Sequence, residues 1–521
     1  MRHRDFDRAA ALDRLGATDF DVVVVGGGIT GAGVALDAAS RGLRTAIVER
    51  DDWAAGTSSK SSKLIHGGLR YLQNGEIRLV YDALHERQRL RHNAPHLVRV
   101  LPFLIPVLTR DGVISRKLAR AMGSAMWMYD LTGGARIGKL HKRLSVDEAL
   151  EHMPTLPRDR LAGSYLYYDA RADDARLTLA IVRTAVLDHG AVAANRATVT
   201  DVLKDDAGRA SGVRVNADGR EIDVEAAAVV NASGVWADDV RLLDEGADPE
   251  PIRPAKGVHI TVPWSKVRND IAVVIPVPKD KRSVFVVPWG GLTYIGTTDT
   301  DYDGPVDDPQ CTPDDVEYLL RAINSSVDGT ITENDVVGTW AGLRPLGQGR
   351  RGAHRRPARG ATRSPATGSG MVTITGGKLT TYREMAADTV DEIVEVLGPR
   401  LPDHVRRRSR TRRLRLRGAE GYAELVDDPP SSSLPPSTVR HLADRYGGEA
   451  PRPAGHDRPG PRARRAARPG PPLPARRGPP RGPLRDGDRA RRRALTPHAC
   501  PAAGPRCQRP GRRRRRRAGG R

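Results

Sequence analysis

The chain has 521 residues, with 85 Lys and Arg against 63 Asp and Glu, 4% aromatics and a formal net charge of +22. From Pro451 onward the last 71 residues hold 23 Arg and only three acids, so this stretch carries +20 and the preceding 450 residues are close to neutral. The basic character therefore belongs to a tail and does not make the body a nucleic-acid binder, while three cysteines without a C-x-x-C pair exclude a disulfide framework or a cysteine zinc site.

Two to four domains of about 100–200 residues are expected at this length. The opening residues, MRHRDFDRAAALDRLGATDF, lack the apolar core of a secretory signal, and no run of about 18 apolar residues follows, so a cytoplasmic protein without a spanning helix is expected. The first strong element spans residues 21–50. Val22–Val25 is a β-branched run suited to a parallel strand buried on both faces. Gly26, Gly28 and Gly31 follow in G-x-G-x-x-G spacing, residues 29–40 read as a helix, and residues 43–48 read as a second strand closed by Glu49. Strand, glycines, helix, strand and terminal acid in this order form a dinucleotide-binding βαβ unit. Gly26 permits the tight turn, Gly28 lets a pyrophosphate approach the backbone, and Gly31 lets the helix pack closely on the sheet. Glu49 is placed to accept the ribose hydroxyls, and its charge disfavours the 2′-phosphate of NADP.

Residues 56–71, GTSSKSSKLIHGGLRY, hold four serines, two lysines, a His and an Arg, poor material for a core and a good cradle for an anionic cofactor. A helix over residues 76–93 follows, with Ile77, Val80, Leu84 and Leu90 on its apolar side. Residues 97–108, LVRVLPFLIPVL, are the longest apolar run and read as buried strand and loop, with a dip into one membrane leaflet as the lesser reading. Short strands then alternate with turns up to residue 345. Residues 222–230 read as one strand running into NASGVWAD, and KGVHITV (256–262), SVFVVPW (283–289) and LTYIGT (292–297) are strand-like. WAGLRPL (340–346) precedes MVTITGGKLTTYR (371–383), which reads as strand, two glycines and a helix reaching Leu397 with Ala386, Val390, Ile393 and Leu397 on one face.

Two stretches do not match the rest. Residues 347–370 contain six Arg, no acid and no Leu, Ile, Val or Phe, and residues 451–521 lack Val, Ile, Met, Phe, Tyr and Trp. Neither can bury enough apolar surface to offset the entropy of ordering, so both are expected to be irregular or disordered. Their Arg/Pro/Gly/Ala bias is what out-of-frame reading of a GC-rich gene yields. The six consecutive arginines at 512–517 would also bind nucleic acid or anionic lipid without sequence preference.

The fingerprint, SSKLIHGGLRYL (61–72), AGLRPL (341–346) and TGGKLTTYR (375–383) together resemble the FAD-dependent glycerol-3-phosphate dehydrogenases, collinearly from about residue 19 to 397. The resemblance implies FAD as cofactor, oxidation of sn-glycerol 3-phosphate to dihydroxyacetone phosphate with hydride passing to flavin N5, and electrons delivered to a membrane quinone. It also implies a peripheral position on the inner face of the cytoplasmic membrane, and it admits a homodimer. The expected fold is α/β: a discontinuous Rossmann-like FAD domain (19–98, 171–250, 371–400), an inserted, mostly antiparallel substrate domain (99–170, 251–346), an Arg/Gly-rich loop (347–370), the start of a helical C-terminal domain (401–450) and the disordered tail. A phosphate dianion needs converging cations, for which Arg70, Arg344 and Lys378 are the candidates, with Tyr71 as hydroxyl donor. His259 is the first choice for the base at the C2 hydroxyl and His66 the second, His66 also serving as a cofactor contact. Ser58, Ser59 and Ser62 are expected at the pyrophosphate or the flavin ring. Gly376, Gly377, Lys378 and Leu379 are expected to bring backbone N–H groups to the flavin. An oxidase of the same substrate that uses oxygen, an amine oxidase of the same fold, and an inactive body carrying a nucleic-acid-binding arm are the competing readings.

Overall fold

Four consecutive valines can alternate sides only if both faces of their sheet are covered, and in β1 (Val22–Val25) Val22 and Val24 enter one core while Val23 and Val25 enter another. The computed structural model describes residues 6–68, 76–108, 123, 126–131, 137–246, 252–278, 280, 282–346, 361–363, 368–398, 401–427 and 434–450. After β1 the chain turns into α1 (Ile29–Arg41), which ends on Gly42 in the left-handed region, and returns as β2 (Thr45–Val48), parallel to β1 in the register Val22↔Thr45 to Val25↔Val48. Val192–Ala194 lies outside β2, and Val229–Asn231, Val372–Gly376 and Ala361–Arg363 follow in that order on the other side of β1. Only the last, an antiparallel edge strand, breaks the parallel arrangement. It falls inside the Arg-rich stretch expected to be irregular, so three residues of that stretch are ordered by pairing with Ile374–Gly376.

Later in the chain, α2 (Ile77–Asn93) buries Val80, Leu84 and Leu90, as expected, together with Ala83, but Ile77 is exposed. The second sheet contains β3 (Val98–Leu108), β4 (Leu161–Ala172), β5 (Arg253–Pro263), β6 (Ser283–Trp289), β7 (Leu292–Gly296) and β8 (Gly338–Leu346). Its order is Thr300–Asp301, β5, β7, β6, Ala272–Pro276, β3, β4, Leu64–Ile65, with β8 on the far side of β5. The apolar run at 97–108 is therefore one eleven-residue strand in the middle of a sheet, not a segment that dips into a membrane. Its prolines are accommodated opposite Tyr168 and Ser164, the second beside a register shift.

Residues 222–230 form two strands rather than one. Arg220–Glu225 belongs to a separate three-stranded antiparallel sheet, and Val229–Asn231 joins the parallel sheet. The alternating pattern of the first half and the continuous apolar pattern of the second are the trace of that change. Tyr382–Leu397 forms the last long helix, α3, which packs on α1 where Gly33 leaves room for the Tyr382 ring. The tail beyond residue 450 lies outside the described residues. Among the described residues, no helix is long and apolar enough to cross a membrane.

Candidate functional site

The nucleotide-binding half is made of backbone. Gly26 sits at φ +109°, and a Cβ there would stand 2.6 Å from the carbonyl oxygen of Ala232. Gly31 lies so close under the turn that its Cβ would meet the oxygen of Gly26 at 2.0 Å. Gly28 is the N-cap of α1 and offers no side-chain cap. Instead Ser58 Oγ accepts from the N–H of Ile29 at 2.8 Å, so this hydroxyl stands at the positive end of the helix. Glu49 accepts from Gly27 N at 2.6 Å and Asp51 N at 2.8 Å, and burial raises its carboxyl above the usual range. Trp236, from the NASGVWAD turn, closes this end. Its ring packs against Gly56, Arg50 lies 4.7 Å above it, and Asp307 accepts from both Trp236 Nε1 (2.8 Å) and Arg50 (2.9 Å).

A second helix start has no side-chain cap. Gly376 (φ +75°) and Gly377 (φ +84°) turn the backbone into the short helix Leu379–Thr381 ahead of α3. Only glycine adopts two such angles in succession without strain. Leu379 itself packs on the core between the helices, so its contribution is the backbone. A helix N-terminus whose N-cap is glycine, an acid one strand away and a paired-glycine turn fit a dinucleotide with an attached ring.

The facing wall is set by register. Trp340 opposes His259, and His259 and Phe285 both oppose Gly296, so Trp340, His259 and Phe285 lie in a row on one face of the second sheet. His259 stacks on Trp340 at 4.6 Å and 9° and leans over Gly296, where a Cβ would come within 2.4 Å of its ring. Its Nε2 pairs with Ser62 Oγ at 2.9 Å, and its Nδ1 is buried without a partner. Burial first, then Lys63 and Arg344, pushes the imidazole down to about 3, so it is neutral at physiological pH. Ser62 thus faces the sheet wall rather than the start of α1. Ser59 bonds locally to Gly56 and, through its carbonyl, to Lys63, which also pairs with Asp174.

His66 is half-buried, its ring 6.1 Å from that of Phe285, and its backbone N–H and C=O both meet Thr380 Oγ1, in the turn after the paired glycines. Burial lowers its proton affinity, Asp169 raises it, and Lys378 and Arg87 lower it further. Lys378 is half-buried and pushed down to about 8 by desolvation. Arg344 is exposed at the end of β8, 3.0 Å from Asp299, with its guanidinium over Gly257. Arg70 and Tyr71 lie outside the described residues.

The sequence reading missed Trp236, Asp307 and the buried group Arg87, Asp169 and Tyr129 behind His66. Position 87 does fall on the stripe 80, 84, 87, 90 of α2, which was the available signal.

A profile of the FAD dependent oxidoreductases matches residues 21–383. A glycerol-3-phosphate dehydrogenase of Mycobacterium leprae is 41% identical over 448 residues, covering 84% of this chain and 74% of that relative. Among solved structures, the glycerol-3-phosphate dehydrogenase from Bacillus halodurans complexed with FAD aligns with a TM-score of 0.67 at 33% identity, covering 85% of this chain and 78% of that one. The L-alpha-glycerophosphate oxidase from Mycoplasma pneumoniae, with FAD bound, shares the fold at a TM-score of 0.55 and 18% identity, over 72% of this chain and 95% of that one.

Proposed function

The chain belongs to the FAD dependent oxidoreductases and, within them, to the glycerol-3-phosphate dehydrogenases, and from that premise we propose how its residues divide the work. The enzyme oxidises sn-glycerol 3-phosphate to dihydroxyacetone phosphate, and bound FAD supplies the hydride acceptor. The start of α1 and Ser58 hold the pyrophosphate, Glu49 the ribose, and the Gly376–Gly377 turn the ring. Arg344 and Lys378 neutralise the substrate phosphate, joined by Arg70 and Tyr71 from the adjoining motif. Electrons leave to a membrane quinone at the inner face of the membrane.

The base is His66 rather than His259. A base must be neutral when substrate arrives and must be reachable. Both imidazoles are neutral at pH 7, but His259 is enclosed by Trp340, Gly296 and Ser62, and its very low proton affinity makes it a poor acceptor. His66 is half-open beside Lys378 and takes the C2 hydroxyl proton. His259 orients Ser62.

The observation that carries the reading is the coincidence of a helix start capped at Gly28 and Ser58, a paired-glycine turn and two unlike cations. The test is the absorption spectrum of the purified protein before and after anaerobic glycerol 3-phosphate. Bleaching of the flavin band is expected, with electrons recovered on a quinone analogue. A flavin that stays oxidised overturns the substrate, and stoichiometric peroxide in air moves the acceptor to oxygen.

A further inference from the structure

Behind the half-open His66 lies a charge pair that the roles above do not use. Arg87 of α2 and Asp169 of β4 meet at 2.5 Å, with 0% and 2% of their side chains exposed. Tyr129, 1% exposed, donates to the second carboxylate oxygen at 2.7 Å, and Arg87 Nη1 also reaches the carbonyl of Tyr168 at 3.0 Å. A carboxylate taken fully out of water persists only when its lone pairs are met, and these donors meet them. The same group holds the backbone next to His66. The N–H of Gly67 is shared between Tyr129 Oη at 3.2 Å and Asp169 Oδ1 at 3.4 Å. Gly67 has no room to shift, since a Cβ there would meet Leu84 at 2.6 Å and Tyr129 Oη at 2.8 Å. On the other side Thr380 brackets the His66 peptide groups. The histidine is therefore gripped between the cofactor-side turn and the substrate sheet.

We propose that Asp169 is a positioning residue of the reaction: clamped by Arg87 and Tyr129, its carboxylate fixes the Gly67 backbone that presents His66 and keeps a negative charge behind it. The inference rests on His66 as the base. Among the described residues, the charged groups facing the imidazole are Asp169 from β4, Arg87 from α2 and Lys378 from the turn before α3; Phe285 of β6 adds a neutral ring. Asp169 favours the imidazolium, and the two cations oppose it.

A merely structural clamp and an electrostatic one differ in sign. In the holoenzyme labelled with 15N-histidine, with the His66 resonance assigned by its loss in His66→Gln, the imidazole titration is followed by NMR. Asp169→Asn is expected to lower the His66 midpoint by about one pH unit, and Arg87→Gln to raise it by a similar amount. Tyr129→Phe keeps both charges and leaves the midpoint in place, while kcat drops about tenfold through the loosened loop and KM holds. If the two charge variants move the midpoint in the same direction, or not at all, the proposal is overturned. Should Asp169→Asn fail to fold, Arg87→Gln and Tyr129→Phe still give a shift to compare with no shift. If the NMR shifts appear but the acid limb of kcat/KM survives in His66→Gln, Asp169 still sets the titration of His66, and the assignment of the base is what has failed.

Discussion

In the half proposed to hold the nucleotide, the groups assigned to a ligand are peptide N–H donors and one acid drawn from residues 26–49, with Ser58 just beyond. In the half proposed to face the substrate, Trp340, His259 and Phe285 come from strands more than fifty residues apart in places and are aligned only by pairing. The first half depends on what a side chain would obstruct, the second on which side chains a register brings together. Substitutions should therefore fail differently in the two halves: glycine changes should remove the cofactor, and wall changes should alter substrate handling while the flavin stays.

The largest effect is expected within the first half, and it separates two kinds of glycine. Gly26→Ala forces an L-residue to φ +109° with its Cβ 2.6 Å from Ala232 O, so the protein should lose its flavin and at least about 2 kcal/mol of stability. Gly28→Ala meets only Ser58 Oγ at 3.2 Å, at φ −74°, an angle that alanine accepts. It should melt close to the parent temperature and bind FAD more weakly. Flavin content and melting curves on both variants check this. Equal loss of stability in the two would mean that Gly28 serves the turn rather than the ligand.

This contrast also explains what could be read from the sequence. The βαβ unit was legible because its spacing, its β-branched run and its closing acid are all local. The strands of the second sheet were legible as strands, but their order was not, since Trp340 and His259 become neighbours through β5–β8 pairing that no local pattern encodes. Arg87 and Glu86 were not singled out from the sequence, yet both are buried, Arg87 on Asp169 and Glu86 on Arg383 of α3. Their partners lie 82 and 297 residues away. The apolar 97–108 run was ambiguous because a central strand and a membrane-facing segment share a composition.

A smaller effect is expected at the rim of the substrate half. Arg344→Ala removes an exposed guanidinium whose partner in this structure is Asp299, so flavin binding should be unchanged. The KM for glycerol 3-phosphate should rise about tenfold to a hundredfold, the worth of a charge-assisted hydrogen bond to a dianion. Lys378 sharpens the same point through pH. Its ammonium is pushed down to about 8, so above that pH the site loses a cation and kcat/KM should fall on an alkaline limb. Lys378→Arg keeps its charge at all working pH values and should erase the limb. Unchanged substrate saturation in Arg344→Ala would remove that residue from the phosphate site.

The last effect lies deepest in the wall and is read in stability rather than rate. His259 is held neutral, its proton affinity pushed from the ordinary 6.5 down to about 3 by burial and then by Lys63 and Arg344. The unfolded chain takes up a proton below about 6.5 and the folded one does not. The stability linked to this residue is therefore intact above that pH and drains away as pH falls toward 3. At pH 5 the loss is about 2 kcal/mol. His96, pushed down to about 4 mainly by burial, adds a loss of the same sign. Melting temperature measured from pH 7.5 to pH 5 should fall less steeply in His259→Gln than in the parent. Equal slopes would mean that the imidazole takes its proton in the folded state, which requires a path for water between Trp340 and Gly296. That path would open the wall, restore His259 as a candidate base and remove the main ground for choosing His66.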